Sequence, residues 1–498
     1  MSLEQLYVDL LAGGLVLLVS IVSTRVASRI GLPSLLLFLG VGILLGEDAL
    51  GIQFHSARLA QNLGTAALAV ILVEGGLTTR WSDIRGSMAP AGVLATLGVG
   101  VSAVVTALGA HYLLDFGWQQ ALLIGAIVSS TDAAAVFSTL RVLPLPRRLA
   151  GLLEAESGFN DAPSIILVLL FTATPFQLDA AHMVETLVYE LAAGAAIGLV
   201  VGWLGALVLP RIALPASGLY PLATFGLGIL AFAAAGAAHA SGFLAAYLAA
   251  VVLANVGLPH RAAIRSFAEG LGWLAQIGLF VLLGLLVSPH HLPAQLVPGL
   301  VIGAVLLLLA RPLSVLIALL PFRMPVRDQA FLSWAGLRGA VPIVLATFPI
   351  VEGVPGADRL LDVVFVLVVV FTLVQGPSLP WVARGLGLVP REVTHEMLVE
   401  SAPLDVLDAE LLTMTVPSGS GLHAVSLVEL RLPYPSLITL IIRERKTFVP
   451  VADTQLAVGD ELLIVTTRTA RETTERRLRA VSRRGPLAFW FDEFGLPD

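Results

Sequence analysis

The stretch ESGFNDAPSIILVLL, residues 156–170, sets Glu156, Ser157, Asn160 and Asp161 at the head of an apolar run. Just upstream, SSTDAAAVFSTL, residues 129–140, carries Asp132 inside another apolar segment. A carboxylate near the centre of a bilayer costs about 3 kcal/mol even on lenient insertion scales, so two of them in neighbouring spans point to the passage of ions or protons.

The rest of the chain fits a membrane setting. Its 498 residues are 57% hydrophobic and only 13% charged, and the mean hydropathy is +0.90, far outside the soluble range. The composition predicts an all-α polytopic membrane protein of about 13 transmembrane helices, each needing roughly 17 to 25 apolar residues. Spans are expected to begin near Leu6, Gly31, Leu59, Ala89, Trp118, Leu149, Val184, Gly218, Ser241, Ile264, Leu292, Gln329 and Ala357. With the N-terminus outside, the inner loops hold Arg25 and Arg29, Arg80 and Arg85, Arg141, Arg147 and Arg148, Arg211, Arg261 and Arg265, Arg323 and Arg327, and Arg384 and Arg391. Outer loops hold only Arg58 and Arg359, against Glu47, Asp48, Asp115, Asp179, Glu185, Glu352 and Asp358. This alternation follows the positive-inside rule and predicts a multi-pass inner-membrane protein with its C-terminal domain in the cytoplasm. The first span has an acidic leader, Glu4 and Asp9, and reads as an uncleaved helix. The absence of cysteine excludes disulfides and thiolate metal sites.

Three regions are expected: a transmembrane domain over 1–395, a cytoplasmic α/β domain over 400–480, and a tail over 481–498. Past Arg391 the pattern shortens to the β-rich runs LLTMTVP, SLITLIIRERKTFVPV and DELLIVTT, with turns at SGSG and at Gly459-Asp460. A helix is expected over GLHAVSLVELRL, and the aromatic tail GPLAFWFDEFGLPD reads first as a frayed terminus, with docking as the alternative.

Depth arithmetic places the buried charges. At 1.5 Å per residue Asp132 lies about 21 Å from the outer end of its span and Asp161 about 18 Å from the inner end of the next, both in the middle third. Ser157, Asn160 and Asp161 share a helix face at i, i+3 and i+4, and oxygen ligands suit a hard monovalent cation. Thr131 can add a hydroxyl or a carbonyl where the SSTD run unwinds, and Pro163 is a second point at which a helix can break. Arg338, about 14 Å from the inner end, and Glu156, about 10 Å, are expected to form a structural ion pair. Arg311 also lies in an apolar stretch and reads as packing or snorkelling, while Glu74 and Glu154 read as interfacial and the loop histidines as solvated.

The segments TDAAAV, ESGFNDA and GLRGAVPI, in that order, resemble the NhaP-type monovalent cation:proton antiporters over roughly residues 1 to 395. The resemblance implies that Asp161 carries the ion and proton beside Asn160, that Thr131 and Asp132 form the Thr-Asp pair, and that Ser157 supplies the site hydroxyl. It further implies Glu156 and Arg338 as the structural pair, inverted repeats with crossed, partly unwound helices, and a homodimer. A monovalent cation would then sit at Asp161, Ser157 and Thr131. The stretch LVELRLPYPSLITLIIRERKTFVPVADTQLAVGDELLIV resembles the C-terminal half of the regulator-of-potassium-conductance module, the TrkA-C domain, which tilts the substrate towards K+ over Na+. No glycine-rich nucleotide fold precedes it, so no dinucleotide or other cofactor is expected, and any small ligand of this domain is left open.

One carboxylate that holds either a proton or a cation makes exchange obligatory if the site opens to one side at a time. With Asn160 in place of a second acid, the expected exchange is electroneutral. The partners are therefore K+ or Na+, protons and membrane lipid, with no nucleic acid and no enzymatic reaction. An intramembrane aspartyl protease would also use paired aspartates, but its Gly-x-Gly-Asp signature is missing; an ion channel is the other alternative.

Overall fold

The structure, a computed structural model, describes residues 3–30, 33–54, 56–132, 145–173, 176, 179–212, 214–388, 399–404, 409–444 and 446–484. The chain divides into two compact units, Met1–Val389 and Pro390–Asp498.

The first unit is helical. Its main helices are α1 (Leu3–Ile30), α2 (Ser34–Leu45), α3 (Ala57–Thr78), α4 (Met88–Leu114), α5 (Trp118–Ser129), α6 (Arg147–Thr172) and α7 (Ala180–Val208). They continue with α8 (Leu219–Ala237), α9 (Gly242–Ala254), α10 (Arg261–Leu286), α11 (Pro289–Phe322), α12 (Val326–Trp334), α13 (Ala340–Val351) and α14 (Ala357–Gly385). Among the described residues, eight helices are long and apolar enough to cross a membrane: α1, α3, α4, α7, α8, α10, α11 and α14. The helices α2, α5, α9 and α13 are apolar but shorter. Helix α6 has 26 residues, yet Arg147, Arg148, Glu154, Glu156 and Asp161 keep it out of the apolar set. In a bilayer such a helix is tolerable only where protein surrounds it. Accordingly Leu152, Ala155 and Val168 of α6 are buried in a core shared with Ile124 of α5, Phe331 of α12 and Leu345 of α13.

Peripheral and central helices separate by burial. Only 6% of the apolar window of α1 is covered by the rest of the protein, against 61% for α14, so the leucines of α1 are left uncovered by the chain's own packing. Between α2 and α10 the backbones touch: a Cβ at Gly42 would lie 2.9 Å from the Gly284 Cα, the small-residue contact that lets membrane helices pack without a hydrophobic driving force. Two helices carry a π-helical turn, Leu94–Gly98 in α4 and Leu306–Ala310 in α11. Such a turn inserts a residue into the helical register and re-aims every side chain beyond it. Pro163 does not break α6, which runs unbroken from Arg147 to Thr172; the interruption falls in the SSTD run instead.

The second unit is a five-stranded antiparallel sheet in the order β1-β2-β5-β3-β4. Its strands are β1 (Val399–Leu404), β2 (Ala409–Thr415), β3 (Leu437–Arg443), β4 (Lys446–Phe448) and β5 (Glu461–Thr467). Alternate residues Leu412 and Met414 of β2 and Leu462 and Ile464 of β5 face one core. Over the segment expected to be a longer helix only one turn forms, α15 (Leu427–Leu430), because Ser426 and Glu429 close a capping box and Arg431 leaves the helix in a left-handed conformation. Hydrogen bonds from Ser426, backbone first, hold the Glu429 carboxyl below its ordinary range. A helix not anticipated from sequence, α16 (Arg468–Arg484), follows β5 and buries Ala470, Thr474, Leu478 and Val481. The aromatic tail beyond it lies outside the described residues.

The Gly459-Asp460 turn is built around one carboxylate. Gly459 takes φ +87°, a conformation that favours glycine, and Asp460 accepts hydrogen bonds from Arg443 Nε at 2.7 Å, Arg443 Nη2 at 2.7 Å and Ala457 N at 2.8 Å. Burial pushes the Asp460 carboxyl up, but these bonds outweigh it and hold it below the usual carboxylate range. A depressed folded value means that the stabilisation is complete above the unfolded value near 3.9 and is lost as pH falls through the folded one. Asp460→Ala is expected to lower the stability of this unit by about 2 kcal/mol, less than a fully buried pair because Arg443 is partly solvated. Protease sensitivity of the sheet region in the full chain measures it, and an unchanged cleavage profile would contradict the assignment.

Candidate ion-binding site

Two interrupted segments meet in the middle of the helical unit. Helix α5 stops at Ser129, and Ser130 is already extended, with φ −65° and ψ 141°. Between α12 and α13, residues 335–339 are likewise non-helical. The two breaks are tied to each other by the Asp132 amide, which donates to the Leu337 carbonyl at 2.9 Å. Gly339 is required there, since a Cβ would fall on the Asp132 carboxylate. Of the TDAAAV motif, residues 131–136, only Thr131 and Asp132 are among the described residues.

A helix end strands its last carbonyls, and in an apolar interior each must find a donor. Arg338 Nη1 donates to the Ser129 carbonyl at 2.8 Å and also to that of Ser130. A cation is favoured at this end of α5 by the helix dipole as well. Ser157 Oγ donates to the Thr131 carbonyl at 2.7 Å. The second break is served in the same manner from α14: Gln375 Nε2 donates to the Trp334 carbonyl at 2.9 Å and Thr372 Oγ1 to the Arg338 carbonyl at 2.8 Å.

Around this crossing the sequence-predicted residues assemble. Asp161, Asn160, Ser157 and Thr131 are all buried, Asp161 the most accessible of them at 6%. Ser130 Oγ donates to Asp161 Oδ1 at 2.5 Å, and Asn160 Nδ2 donates to Thr131 Oγ1. Asn160 Oδ1 is buried with no hydrogen-bond partner among the described residues, an acceptor turned into the same neighbourhood. Asp132 is half-buried at the edge of the group. Carboxylate, hydroxyl and amide oxygens of this kind are what a hard monovalent cation needs in exchange for its water.

The expected Glu156–Arg338 pair is corrected. Glu156 is held by Arg311 instead, with Nη1 to Oε1 at 2.6 Å and Nη2 to Oε2 at 2.9 Å, a buried bidentate fork. The five residues from Glu156 to Asp161 turn α6 by about 140°, so the two acids face different neighbours. Arg338 stands at the crossing, where its Nη1 is occupied by the carbonyls of Ser129 and Ser130. Arg311 and Ser130 are the residues that sequence reasoning missed. Glu154, expected at an interface, accepts from Thr79 Oγ1 at 2.5 Å. Among the loop histidines, His111 stacks on Trp118 at 4.0 Å and His290 bonds Asp48 at 3.0 Å, so neither is merely solvated.

With this geometry in view, comparison with known proteins is informative. The family model of the transmembrane sodium/hydrogen exchanger matches residues 15–385, and that of the TrkA-C domain matches residues 411–479. A K(+)/H(+) antiporter NhaP of Alkalimonas amylolytica is 38% identical over 473 residues, covering 93% of this chain and 82% of that protein. A K(+)/H(+) antiporter NhaP2 of Shewanella sp. (strain MR-4) is 38% identical over 464 residues, covering 91% and 80%. In fold, the sodium proton antiporter MjNhaP1 from Methanocaldococcus jannaschii superposes with a TM-score of 0.66 at 21% identity, over 76% of this chain and 99% of the other.

Proposed function

Because the chain belongs to the sodium/hydrogen exchanger family, we propose that it exchanges one monovalent cation for one proton across the inner membrane, with Asp161 as the carboxylate that holds either. The observation that carries the assignment is the seating of Asp161 at the crossing of two interrupted segments, within hydrogen-bond reach of Ser130 and beside Ser157, Asn160 and Thr131. K+ is the proposed physiological cation, supported by the K(+)/H(+) names of the relatives at 38% identity and by the TrkA-C match. The protein is a transporter and not an enzyme. The relatives carry antiporter names, which supports neither the protease nor the channel alternative.

The finer architecture belongs to the same proposal. Thirteen crossings follow if the shorter α2, α5 and α9, the polar α6, and the interrupted pair of α12 with α13 each count as one. The N-terminus is then outside and the sheet unit cytoplasmic, where it regulates exchange. An inverted repeat is supported by the way each break is served by the helix that follows it, α6 for the first and α14 for the second. A homodimer is proposed from the resemblance alone.

Proteoliposomes carrying an internal pH indicator, challenged with Na+, K+ and Li+ in turn, test the reading. Cation-dependent proton movement with K+ among the effective ions is expected. A single carboxylate loaded by H+ or by one cation carries the same charge both ways, so the gradient ratio at which exchange reverses is expected to stay fixed under an imposed voltage, despite about 2.3 kcal/mol per charge per 100 mV being available. A reversal ratio that moves with voltage would require a second proton, with Asp132 the first group to examine.

A further inference from the structure

One face of α6 carries Glu154, Gly158 and Asp161, at i, i+4 and i+7, within about 60° of one another around the helix. The two acids are seven residues apart, about 10.5 Å along the axis, and Gly158 lies between them. On that glycine sits an aromatic ring from another helix. A Cβ at Gly158 would meet three ring atoms of Tyr247, in α9, at 2.5 to 2.8 Å, so only glycine lets the ring close on the α6 backbone. The ring is braced edge-on by Phe159, centroids 5.6 Å apart. Tyr247 is 2% exposed, and its hydroxyl is buried with no hydrogen-bond partner among the described residues. Beyond the ring from Asp161 lies Glu154, partly exposed and bonded to Thr79 just past the end of α3.

We propose that Tyr247 is the gate of the cytoplasmic route: seated on Gly158, its ring separates Asp161 from Glu154 at the mouth, and it must leave that seat for an ion or proton to reach Asp161. The inference rests on the reading of Asp161 as the ion site and on the orientation of α6. One feature fits a moving part: the seat is a bare helix backbone with no side chain to interlock. A ring that only filled the core would serve as well without its hydroxyl and would not need to cover the line between two acids.

The chain has no cysteine, so access can be read chemically at one introduced thiol. Ser130→Cys, beyond the ring, is placed in the full-length protein in inside-out vesicles, and its reaction with a charged, membrane-impermeant methanethiosulfonate is timed. With Tyr247 present the reaction is expected to be slow, and Tyr247→Ala should speed it at least tenfold. Tyr247→Phe, which keeps the ring, should leave it slow. Gly158→Ala, which pushes the ring off its seat, should speed it with Tyr247 intact and serves where Tyr247→Ala fails to fold. Equal rates in the ring and ringless proteins overturn the gate, and so does an acceleration seen only in right-side-out vesicles. The labelling needs no transport, so it can fail or succeed independently of whether Asp161 carries the ion.

Discussion

Asp161→Asn is expected to fold normally and to exchange cation for proton at least about a thousandfold more slowly than the unaltered chain. The asparagine has the same shape, and its amide oxygen can still accept from Ser130 Oγ, so the crossing loses no bond. What disappears is the charge. Two unit charges 4 Å apart in a site of effective dielectric 20 attract by about 4 kcal/mol, a factor of about a thousand in the affinity for a bare cation. The amide also cannot be protonated at working pH, so the return leg has no cargo. Pre-steady proton movement in proteoliposomes measures the loss, with thermal melting in detergent as the folding control. Exchange at the ordinary rate in a folded Asp161→Asn protein would remove Asp161 from the mechanism and leave Asp132 as the carrier to test.

The second large effect is structural. Arg311→Ala is expected to lower stability by about 3 to 5 kcal/mol, because it leaves the Glu156 carboxylate charged and unpaired inside the protein. Glu156→Ala added to Arg311→Ala should recover part of that, giving a coupling energy above about 1 kcal/mol in the double-mutant cycle. The parallel cycle of Glu156→Ala with Arg338→Ala separates the two arginines. Arg338 bonds backbone carbonyls and meets Glu156 only through longer-range charge attraction, so this cycle should show a smaller coupling than the Arg311 cycle. Unfolding in a denaturant series reads both cycles. Strong coupling in the Arg338 cycle and none in the Arg311 cycle would reverse the assignment made from the geometry.

The contrast between those arginines shows where sequence reasoning stopped. Residue composition made the helical membrane unit evident, because a bilayer imposes one demand on every span, apolar length, and that demand is written residue by residue. The polar members of α6 stood out for the same reason. Which arginine meets Glu156 depends instead on angles and tertiary approach. Both arginines lie inside apolar stretches, but Arg311 immediately follows the π-helical turn Leu306–Ala310, whose extra residue rotates it onto a face that a regular 3.6 period does not predict. Ser130 escaped for a related cause. Thr131 stood out as the neighbour of Asp132, whereas in the extended backbone at Ser130 side chains alternate sides, and it is the serine before it that reaches Asp161. In the sheet unit, the strands were legible from their alternation. Helix α16 was not: its buried Ala470, Thr474, Leu478 and Val481 are few and separated by arginines and glutamates, a pattern that reads as a solvated segment until the sheet supplies a surface.

The stranded carbonyls of Ser129, Ser130 and Thr131 are met by Arg338 and Ser157, so the crossing owes none of its integrity to whatever it carries. An unloaded carrier therefore keeps its shape, and slippage is not prevented by collapse. On the proposal that Asp161 is the carrier, what restrains a futile empty stroke is solvation physics: an anionic Asp161 drawn through a low-dielectric collar has to shed its hydration with no counterion to replace it. On that proposal, thrift in the use of the proton gradient is set by a single charge. Any substitution that makes the empty site neutral trades tightness of coupling for idle traffic, even where the architecture is untouched.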